Sequence, residues 1–162
     1  MTKRKICALG DFAVGKTSLA NRIFHNNFSE DYRANIGVRI YSKEVRLAGR
    51  IVNVEWWDLP AEDENRRLEM SHLRGASACV LVVDKTRSYT LNTAFNLQQR
   101  IQNHFPKLPI ILVVNKSDLT DDSEIDEARL TQIEQQGWNV IQTSARLGDK
   151  VNIAFIQAIS RH

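Results

Sequence analysis

Short apolar runs alternate with longer stretches of helical period along the whole chain. Runs rich in β-branched residues predict strands at 5–9, 51–57, 78–83, 110–114 and 140–143. Stretches with apolar residues every three or four positions predict helices at 16–26, 66–74, 91–104, 125–136 and 151–161. This alternation is typical of an α/β domain in which helices cover both faces of a parallel sheet.

The predicted strands differ in how much of their surface is apolar. The runs CVLVV at 79–83 and IILVV at 110–114 are apolar at every position, as central strands covered on both faces are. Residues 38–47 instead alternate apolar and polar side chains, and a short link at 48–50 leads directly into the next strand. We therefore predict an antiparallel pair at one edge of an otherwise parallel sheet. Because no repeat or linker interrupts the pattern, residues 1–162 are predicted to form a single domain.

Composition and charge agree with a soluble globular domain. The 162 residues are 43% hydrophobic and 25% charged, with only 7 Gly and 3 Pro, and this length suffices for a substantial core. The net charge is +3, but the charges are scattered except for a short cluster at residues 2–5. Such a cluster is typical of a solvated terminus, so we expect neither a nucleic acid nor a membrane surface as the partner.

The cysteines and the chain ends bear on location. Cys7 and Cys79 both lie within apolar runs, which favours buried thiols in a reducing compartment and predicts a cytoplasmic protein. No apolar run is long enough to span a membrane. The last four residues contain no cysteine for prenylation, so either the protein has no lipid anchor or this chain is trimmed.

The stretch GDFAVGKT at residues 10–17 matches the pattern GxxxxGK[ST] and lies between a predicted strand and a predicted helix. Glycines let the backbone wrap closely around phosphates, and the helix N-terminus adds a dipole that favours negative charge. Lys16 can supply a charge to the β- and γ-phosphates, and the Thr17 hydroxyl can bind Mg²⁺. The sequence therefore predicts a site for a nucleoside triphosphate.

Asp58 lies in the stretch WWDLPAEDE at residues 56–64. An aspartate followed by proline and acids after a strand is ordinarily a turn residue. A nucleoside triphosphate site, however, needs a second carboxylate near its metal, and ligands bind at the carboxyl ends of parallel strands. Together with the phosphate loop, this placement predicts that Asp58 binds Mg²⁺ directly or through water.

Two further motifs follow predicted strands and indicate which base is bound. In the stretch NKSD at 115–118, the Asp118 carboxylate can accept hydrogen bonds from both the ring N–H and the exocyclic amine of guanine. Adenine cannot offer that pair, so Asp118 disfavours an ATPase. In the stretch TSA at 143–145, backbone N–H groups can donate to the guanine carbonyl oxygen. Four short motifs in order, each at a strand end, predict a guanine-nucleotide site.

Taken together, the phosphate loop, Asp58, NKSD and TSA resemble the motifs of small GTPases of the Ras superfamily, and most of all those of the Rab branch. The resemblance covers essentially all 162 residues. It implies a Ras-like G domain of the P-loop NTPase class, with a mostly parallel six-stranded sheet, one antiparallel edge strand and about five helices, which binds GTP or GDP with Mg²⁺. It also implies nucleotide contacts from Asp11, Phe12, Ala13, Val14, Gly15, Lys16, Thr17, Ser18, Phe28, Tyr32, Asn115, Lys116, Asp118, Leu119, Ser144, Ala145 and Arg146.

The resemblance further implies a monomeric switch whose switch segments respond to the γ-phosphate. Effectors, and activating or exchange factors, would then bind the surface formed by Ile36, Val38, Trp57 and Leu68. Adjacent strand positions face opposite sides of a sheet. Of the two neighbouring tryptophans at 56 and 57, one is therefore expected in the core and the other on the opposite face. An exposed tryptophan beside a switch is a candidate hot spot, although burial under a neighbouring helix explains it equally well.

Several positions depart from the family pattern, and they cluster around the γ-phosphate. Asn35 stands where the family has a threonine that binds Mg²⁺, and an amide oxygen is a weaker ligand. Ala61 replaces a glycine whose N–H binds the γ-phosphate, and its Cβ restricts the backbone. Glu62 replaces the residue that orients the attacking water. The negative charge of its carboxylate repels the γ-phosphate, although the carboxylate could also act as a base. Phe12 and Ala13 occupy loop positions where Rab proteins have small residues.

These departures leave the residues expected to hold the base and the β-phosphate intact. We therefore predict a GTP/GDP switch with slow or absent intrinsic hydrolysis, in which Lys16, Ala61 and Glu62 are the candidate catalytic positions. A divergent protein that compensates elsewhere for these changes is a second interpretation. A third is a pseudoGTPase, a binding module that keeps guanine nucleotide as a structural ligand and recruits partners without cycling.

Overall fold

The computed structural model describes residues 2–25, 28–30, 38–62, 68–148 and 150–160, with the backbone alone for 28–30. Within these residues the strands are β1 (Thr2–Gly10), β2 (Phe28–Glu30), β3 (Arg39–Leu47), β4 (Arg50–Asp58), β5 (Ala78–Asp84), β6 (Ile110–Asn115) and β7 (Asn139–Gln142). The α-helices are α1 (Lys16–Phe24), α2 (Tyr89–His104), α3 (Glu127–Gln135) and α4 (Val151–Ser160). All six predicted strands are present, and the three-residue strand β2 is an addition to them.

The strands form one sheet in the order β2-β3-β4-β1-β5-β6-β7. The strands β4, β1, β5, β6 and β7 run parallel to one another, whereas β3 is antiparallel to both β4 and β2. The predicted α/β class and the predicted antiparallel pair are therefore confirmed. In the register of the sheet, Ala8 pairs with Asp58 and Asp84 pairs with Asn115, so the polar strand ends lie along one edge.

Alternation along the central strands divides the core between the two faces of the sheet. In β1, Ile6 and Ala8 pack with the buried residues of α1 and α4, whereas Cys7 and Leu9 pack with those of α2 and α3. Every residue of β5 is buried, as its uninterrupted apolar pattern predicts. Each face is thus covered by two of the helices that the structure describes, which leaves the carboxyl edge of the sheet as the place where loops meet.

The predicted helix at 125–136 begins two residues later than expected. Asp126 has extended backbone and its side chain accepts a hydrogen bond of 2.8 Å from the Arg129 N–H, so it caps the N-terminus of α3. An aspartate that satisfies one of the free N–H groups of a first turn fixes where the helix starts.

The predicted α-helix at 66–74 is wrong for the residues that the structure describes. Residues 66 and 67 lie outside them, and the remainder contains only a 3₁₀ turn, Met70–Leu73. Glu69 before the turn is extended, with φ −87° and ψ 118°, and it makes no side-chain cap. Gly75 just after it has φ 79°. A four-residue 3₁₀ turn without a side-chain cap at its start does not extend into an α-helix.

None of the described helices is long and apolar enough to cross a membrane. Both cysteines are buried and free, as the sequence predicted.

Candidate functional site

The loop between β1 and α1 leaves backbone N–H groups open to a ligand. Ala13 and Gly15 have positive φ angles of 59° and 99°, a backbone shape that turns successive N–H groups toward a common centre. Gly15 is also the N-cap of α1 and provides no side-chain cap. A Cβ at this position would lie 2.2 Å from Asn115 Nδ2, so only glycine fits here. The N-terminus of α1 is therefore available for an anion.

Three predicted residues meet at the start of α1. The Thr17 hydroxyl donates a 2.7 Å hydrogen bond to Asp58 Oδ2, and Lys16 Nζ lies 3.3 Å from Asp58 Oδ1. Asp58 is only 5% exposed, and its buried Oδ1 has no hydrogen-bond partner among the described residues. A buried carboxylate oxygen without a hydrogen bond, beside a hydroxyl, is a donor set that suits Mg²⁺.

No group of three or more His, Cys, Asp or Glu side chains within the described part of the chain could hold a metal ion by itself. Magnesium commonly keeps several waters and is held by one or two carboxylates together with phosphate oxygens. Thr17 and Asp58 therefore fit a Mg²⁺ ion that arrives with a phosphate ligand, and Asn35, the third predicted ligand, lies outside the described residues.

Beside the phosphate loop lies a cleft of about 620 Å³, a volume typical of ligand sites. It is lined by Gly15, Ser18, Asn21, Arg22, Asn115, Lys116, Asp118, Leu119, Ala145 and Arg146. All of these except Asn21 and Arg22 were predicted from the sequence. Asn21 and Arg22 lie three and four positions after Ser18 on α1, so helical spacing from the phosphate loop could have indicated them.

Asn115 joins the phosphate loop to the loop after β7. The side chain is 2% exposed; its Nδ2 donates to the Val14 carbonyl at 3.0 Å, and its Oδ1 accepts from the Ala145 N–H at 3.1 Å and from the Thr143 hydroxyl at 3.2 Å. The Thr143 N–H donates to the Val114 carbonyl. Two of the three N–H groups in the TSA motif are thus engaged within the protein, and Asn115 fixes the distance between the two loops.

Asp118 is held in place by Ser144. Its Oδ1 accepts a 2.8 Å hydrogen bond from the Ser144 hydroxyl, and its Oδ2 lies 3.8 Å from Arg146 Nη1. Ser144 is 1% exposed, and its hydroxyl also accepts a hydrogen bond from the Leu147 N–H. The buried Ser144 hydroxyl is therefore itself held in place and fixes the orientation of the Asp118 carboxylate. Asp118 itself lines the cleft. A carboxylate with a fixed orientation at the wall of a cleft can accept a pair of N–H donors from a planar base.

Asp84, which was not predicted from the sequence, links the loop after β6 to the phosphate loop. Its Oδ2 accepts from Lys116 Nζ and from Arg87 Nε, both at 2.8 Å. Lys116 also donates to the Ala13 carbonyl at 3.1 Å, and Arg87 Nη2 donates to the Phe12 carbonyl at 2.9 Å. Asp84 is the last residue of β5, just as Asp58 is the last residue of β4. This shared position at a strand end is the sequence signal that could have identified Asp84.

Burial alone would raise the pKa of Asp84, but hydrogen bonds from Lys116, Thr86 and Arg87 outweigh it and lower the pKa to about 2. Asp84 is fully buried, so its charge is stabilised almost entirely by these protein groups. An ionised Asp84 therefore holds two cations, each of which fixes one carbonyl of the phosphate loop.

The side chain of Phe12 is 78% exposed and does not line the nucleotide-sized cleft. The preceding residue anchors this part of the loop, because Asp11 accepts from the Phe12 N–H at 2.8 Å and from the Thr93 hydroxyl at 2.7 Å. The phosphate loop is thus tied to α2 through Asp11, and the phenyl ring points to solvent.

Glu62 contacts Arg100 of α2 and the backbone of Leu68. Its Oε1 lies 2.6 Å from Arg100 Nη1 and accepts a 2.8 Å hydrogen bond from the Leu68 N–H. Glu62 and Arg100 line a second cleft, of about 580 Å³, and neither lines the first. Ala61 is half-buried between Asp58 and Glu62 in the chain.

The predicted partner surface is only partly exposed. Val38 is 1% exposed and belongs to the core on the α2 and α3 face, so its assignment to an exposed surface is wrong. Trp57 is half-buried, with Lys5 Nζ 3.8 Å from its ring centre, whereas Trp56 is 2% exposed. Leu68 is half-buried. Three other predicted positions, Tyr32, Ile36 and the side chain of Phe28, lie outside the described residues.

Comparison with known proteins agrees with this geometry. The model of the Ras family matches residues 5–162 of the chain. Ras-related protein Rab7 of Drosophila melanogaster is 33% identical over 168 residues, which cover 98% of this chain and 79% of that protein. Ras-related protein YPTC6 of Chlamydomonas reinhardtii is 30% identical over 158 residues, 96% of this chain and 73% of that protein. Ras-related protein RABA6b of Arabidopsis thaliana is 31% identical over 159 residues, 97% and 69% respectively. The chain therefore belongs to the Ras superfamily of small GTPases and is Rab-like.

Proposed function

We propose that this protein binds GTP or GDP with Mg²⁺ and acts as a molecular switch that hydrolyses GTP slowly. The observation that carries the proposal is that one cleft joins the open N-terminus of α1 to the fixed carboxylate of Asp118. Phosphates fit the first of these and a guanine base fits the second. Both belong to one site, so a single guanine nucleotide can occupy them together.

The choice of guanine rests on Asp118. Ser144 holds one oxygen of this carboxylate, and the ring N–H and exocyclic amine of guanine supply two donors for its remaining lone pairs. Adenine has no such pair of adjacent donors on that edge. A site whose buried acceptor is left without a donor rejects the wrong base strongly.

At the phosphate end, Lys16 and the N–H groups of the loop would bind the β- and γ-phosphates, and Thr17 and Asp58 would hold Mg²⁺. When bound, Mg²⁺ neutralises charge on the phosphates. The protein holds the phosphate loop in place, because Asp84 fixes Lys116 and Arg87 against the carbonyls of that loop. Phosphoryl transfer depends mainly on such positioning and on electrostatic stabilisation.

Slow hydrolysis is supported by what surrounds the expected γ-phosphate position. Glu62 stands where the family has the residue that orients water, and its carboxylate is engaged by Arg100 and by the Leu68 N–H. Ala61 carries a Cβ where the family has glycine. We propose that Ala61 still donates its N–H to the γ-phosphate, and that Glu62 contributes little while it is paired with Arg100.

The alternative function is a binding module that retains guanine nucleotide and recruits partners without turnover. The contact between Glu62 and Arg100 favours it too, because a Glu62 side chain held by Arg100 would not respond to the γ-phosphate. In either case we propose a cytoplasmic monomer that contacts protein effectors through Trp57, Leu68 and the neighbouring switch surface. The two functions differ in the fate of bound GTP.

The deciding experiment follows bound nucleotide over hours. Purified protein is emptied of nucleotide, loaded with GTP and Mg²⁺, separated from excess nucleotide and sampled for chromatography. A slow switch converts bound GTP to GDP at a measurable rate that stops when Mg²⁺ is chelated, whereas a binding module retains GTP unchanged. A Rab protein with the usual switch residues is the reference, and a rate equal to that reference would contradict slow hydrolysis.

Base recognition is tested separately with Asp118→Asn. An asparagine amide replaces one acceptor with a donor, so guanine loses one of its two partners, while xanthine, which has a carbonyl in place of the exocyclic amine, gains one. The variant should bind GDP at least about 10-fold more weakly than the unmodified protein and should prefer xanthosine diphosphate in competition. Equal competition by ATP and GTP for the unmodified protein would contradict the proposed guanine site.

A further inference from the structure

One face of α2 contacts both segments that approach the γ-phosphate in the proposed function. Thr93, Asn96, Leu97 and Arg100 are spaced three, four and seven positions apart, so they lie along one side of the helix. Thr93 bonds to Asp11 of the phosphate loop, and Arg100 bonds to Glu62 after β4. The two contacts measure 2.7 Å and 2.6 Å.

Without Arg100, the cleft beside this face of α2 would carry an excess of negative charge. The cleft beside this face is lined by two carboxylates, Asp11 and Glu62, and among its described lining residues Arg100 is the one cation. Glu62 also lines a small adjoining cavity together with Gly10 and Asp11 of the phosphate loop. A carboxylate in this position lies next to the loop where a γ-phosphate would carry further negative charge.

The contacts of Glu62 keep its charge on the side of α2. Its Oε1 receives both the Arg100 guanidinium and the Leu68 N–H, and the side chains of Glu62 and Arg100 are about equally shielded, at 29% and 30% exposure. A charge-assisted hydrogen bond to arginine with a second donor on the same oxygen restricts the rotamer of a glutamate. Without the arginine, the carboxylate regains the freedom to turn toward the phosphate loop.

We infer that Arg100 determines how well the site binds a nucleoside triphosphate relative to a diphosphate. It does so as a positioning residue, because it holds and neutralises Glu62 and does not itself line the nucleotide cleft. The inference rests on the proposed function, since it concerns the same guanine-nucleotide site. A free Glu62 repels the γ-phosphate of a triphosphate, whereas a diphosphate has no group at that position.

The test compares Arg100→Met with the unmodified protein, because methionine keeps much of the arginine's apolar contact without its charge. Affinities are measured by competition, with Mg²⁺ present, for a non-hydrolysable GTP analogue and for GDP. Arg100→Met should weaken the analogue by about 5-fold, as expected for two like charges a few ångströms apart in a solvated site, while GDP changes by less than about 2-fold. The loss should shrink at high salt, since screening weakens repulsion between partly exposed charges.

Two further variants separate repulsion from structural damage. The double variant Arg100→Met with Glu62→Gln removes the charge that Arg100 neutralises, so it should recover most of the affinity for the analogue. Arg50→Met is the matched control, since Arg50 is an exposed arginine at the opposite end of β4 from Asp58, and it should leave the ratio of the two affinities unchanged.

Each result decides the inference. Equal weakening of the analogue and GDP by Arg100→Met, or no recovery in the double variant, would show that Arg100 acts only through stability and would overturn it. If the unmodified protein binds neither nucleotide, the proposed function fails first and the inference falls with it. If the unmodified protein binds both nucleotides and Arg100→Met leaves their ratio unchanged, the inference alone fails.

Discussion

At the scale of single residues, the phosphate loop is shaped by positions where only one kind of side chain fits. Gly15 combines a positive φ of 99° with direct contact to Asn115, which in turn holds the Val14 carbonyl. Phe12 shows the opposite case, because its side chain is 78% exposed and the loop tolerates its bulk. Side-chain size therefore matters where this loop packs against the sheet, at Gly15 beside Asn115 of β6 and at Gly10, where an added Cβ would lie 2.4 Å from the Val82 carbonyl oxygen of β5.

Gly15→Ala should destabilise the protein by about 3 kcal/mol, the sum of a left-handed backbone penalty and a steric clash. The added Cβ would lie 2.2 Å from Asn115 Nδ2, so Asn115 must move and release the loop. Gly137→Ala is the matched control, because Gly137 has nearly the same φ, 98°, with no atom within 4 Å of the added Cβ. It should cost only about 1 kcal/mol. Urea unfolding measures both, and equal costs would contradict the clash.

At the scale of elements, Asp84 connects β5 to the loops that follow β1 and β6. Its carboxylate holds Lys116 and Arg87, and these two residues hold the Ala13 and Phe12 carbonyls. The sheet thus positions the phosphate loop through the two cations held by the buried Asp84 carboxylate, as well as through the strand ends. Removing Asp84 would leave Lys116 and Arg87, which are partly exposed, without the charge that positions them against the phosphate loop.

The ion network predicts how stability depends on pH. The pKa of Asp84 is lowered from its usual 3.8 to about 2, so its ionised form stabilises the folded state above pH 3.8, and this contribution is lost as the pH falls toward 2. The contribution amounts to about 2 kcal/mol. Asp84→Asn lacks it, so the difference in unfolding free energy between the unmodified protein and this variant should narrow as the pH falls from 4 to 2.

Urea unfolding at a series of pH values makes this measurement. The exposed residue Asp122 provides the control variant Asp122→Asn, which also removes one negative charge but breaks no contact with the phosphate loop. A difference between the unmodified protein and Asp84→Asn that stays constant over this pH range would contradict the lowered pKa.

Also at this scale, sequence patterns predict elements better than they predict the partners of side chains. The all-apolar runs predicted β5 and β6, and the motifs predicted that Asp58, Asn115 and Asp118 lie at or just after strand ends, because pattern and loop position depend on local sequence. The helix expected at 66–74 failed because apolar spacing does not reveal an extended Glu69.

The contact of Glu62 with Arg100 joins residues 38 positions apart, and no local signal predicts such a pair. For the same reason the sequence did not reveal that Asp84 holds Lys116 and Arg87. Long-range ion pairs depend on how helices and strands pack, which is settled only by the folded chain.

At the scale of the whole molecule, the two cysteines report on global unfolding. Cys7 and Cys79 pair in register on the central strands β1 and β5, and both are fully buried. Burial raises the pKa of Cys7 to about 12 and that of Cys79 well above its usual value, so neither thiol is reactive while the sheet is intact. Labelling of either thiol therefore requires the sheet to open.

A thiol reagent should consequently modify both cysteines at the same slow rate, and guanine nucleotide should slow both equally. A ligand that binds only the folded state reduces the unfolded population in proportion to its concentration over Kd, so GDP with Mg²⁺ at 100 times Kd should slow labelling by about 100-fold when refolding outpaces modification. Mass spectrometry of peptides resolves the two sites, and ADP with Mg²⁺ is the control ligand. Faster labelling of one cysteine would show that β1 and β5 separate locally. A labelling rate that is the same with and without GDP would show that opening does not require release of the nucleotide. Equal slowing of both would mean that the nucleotide site and the centre of the sheet unfold as one cooperative unit.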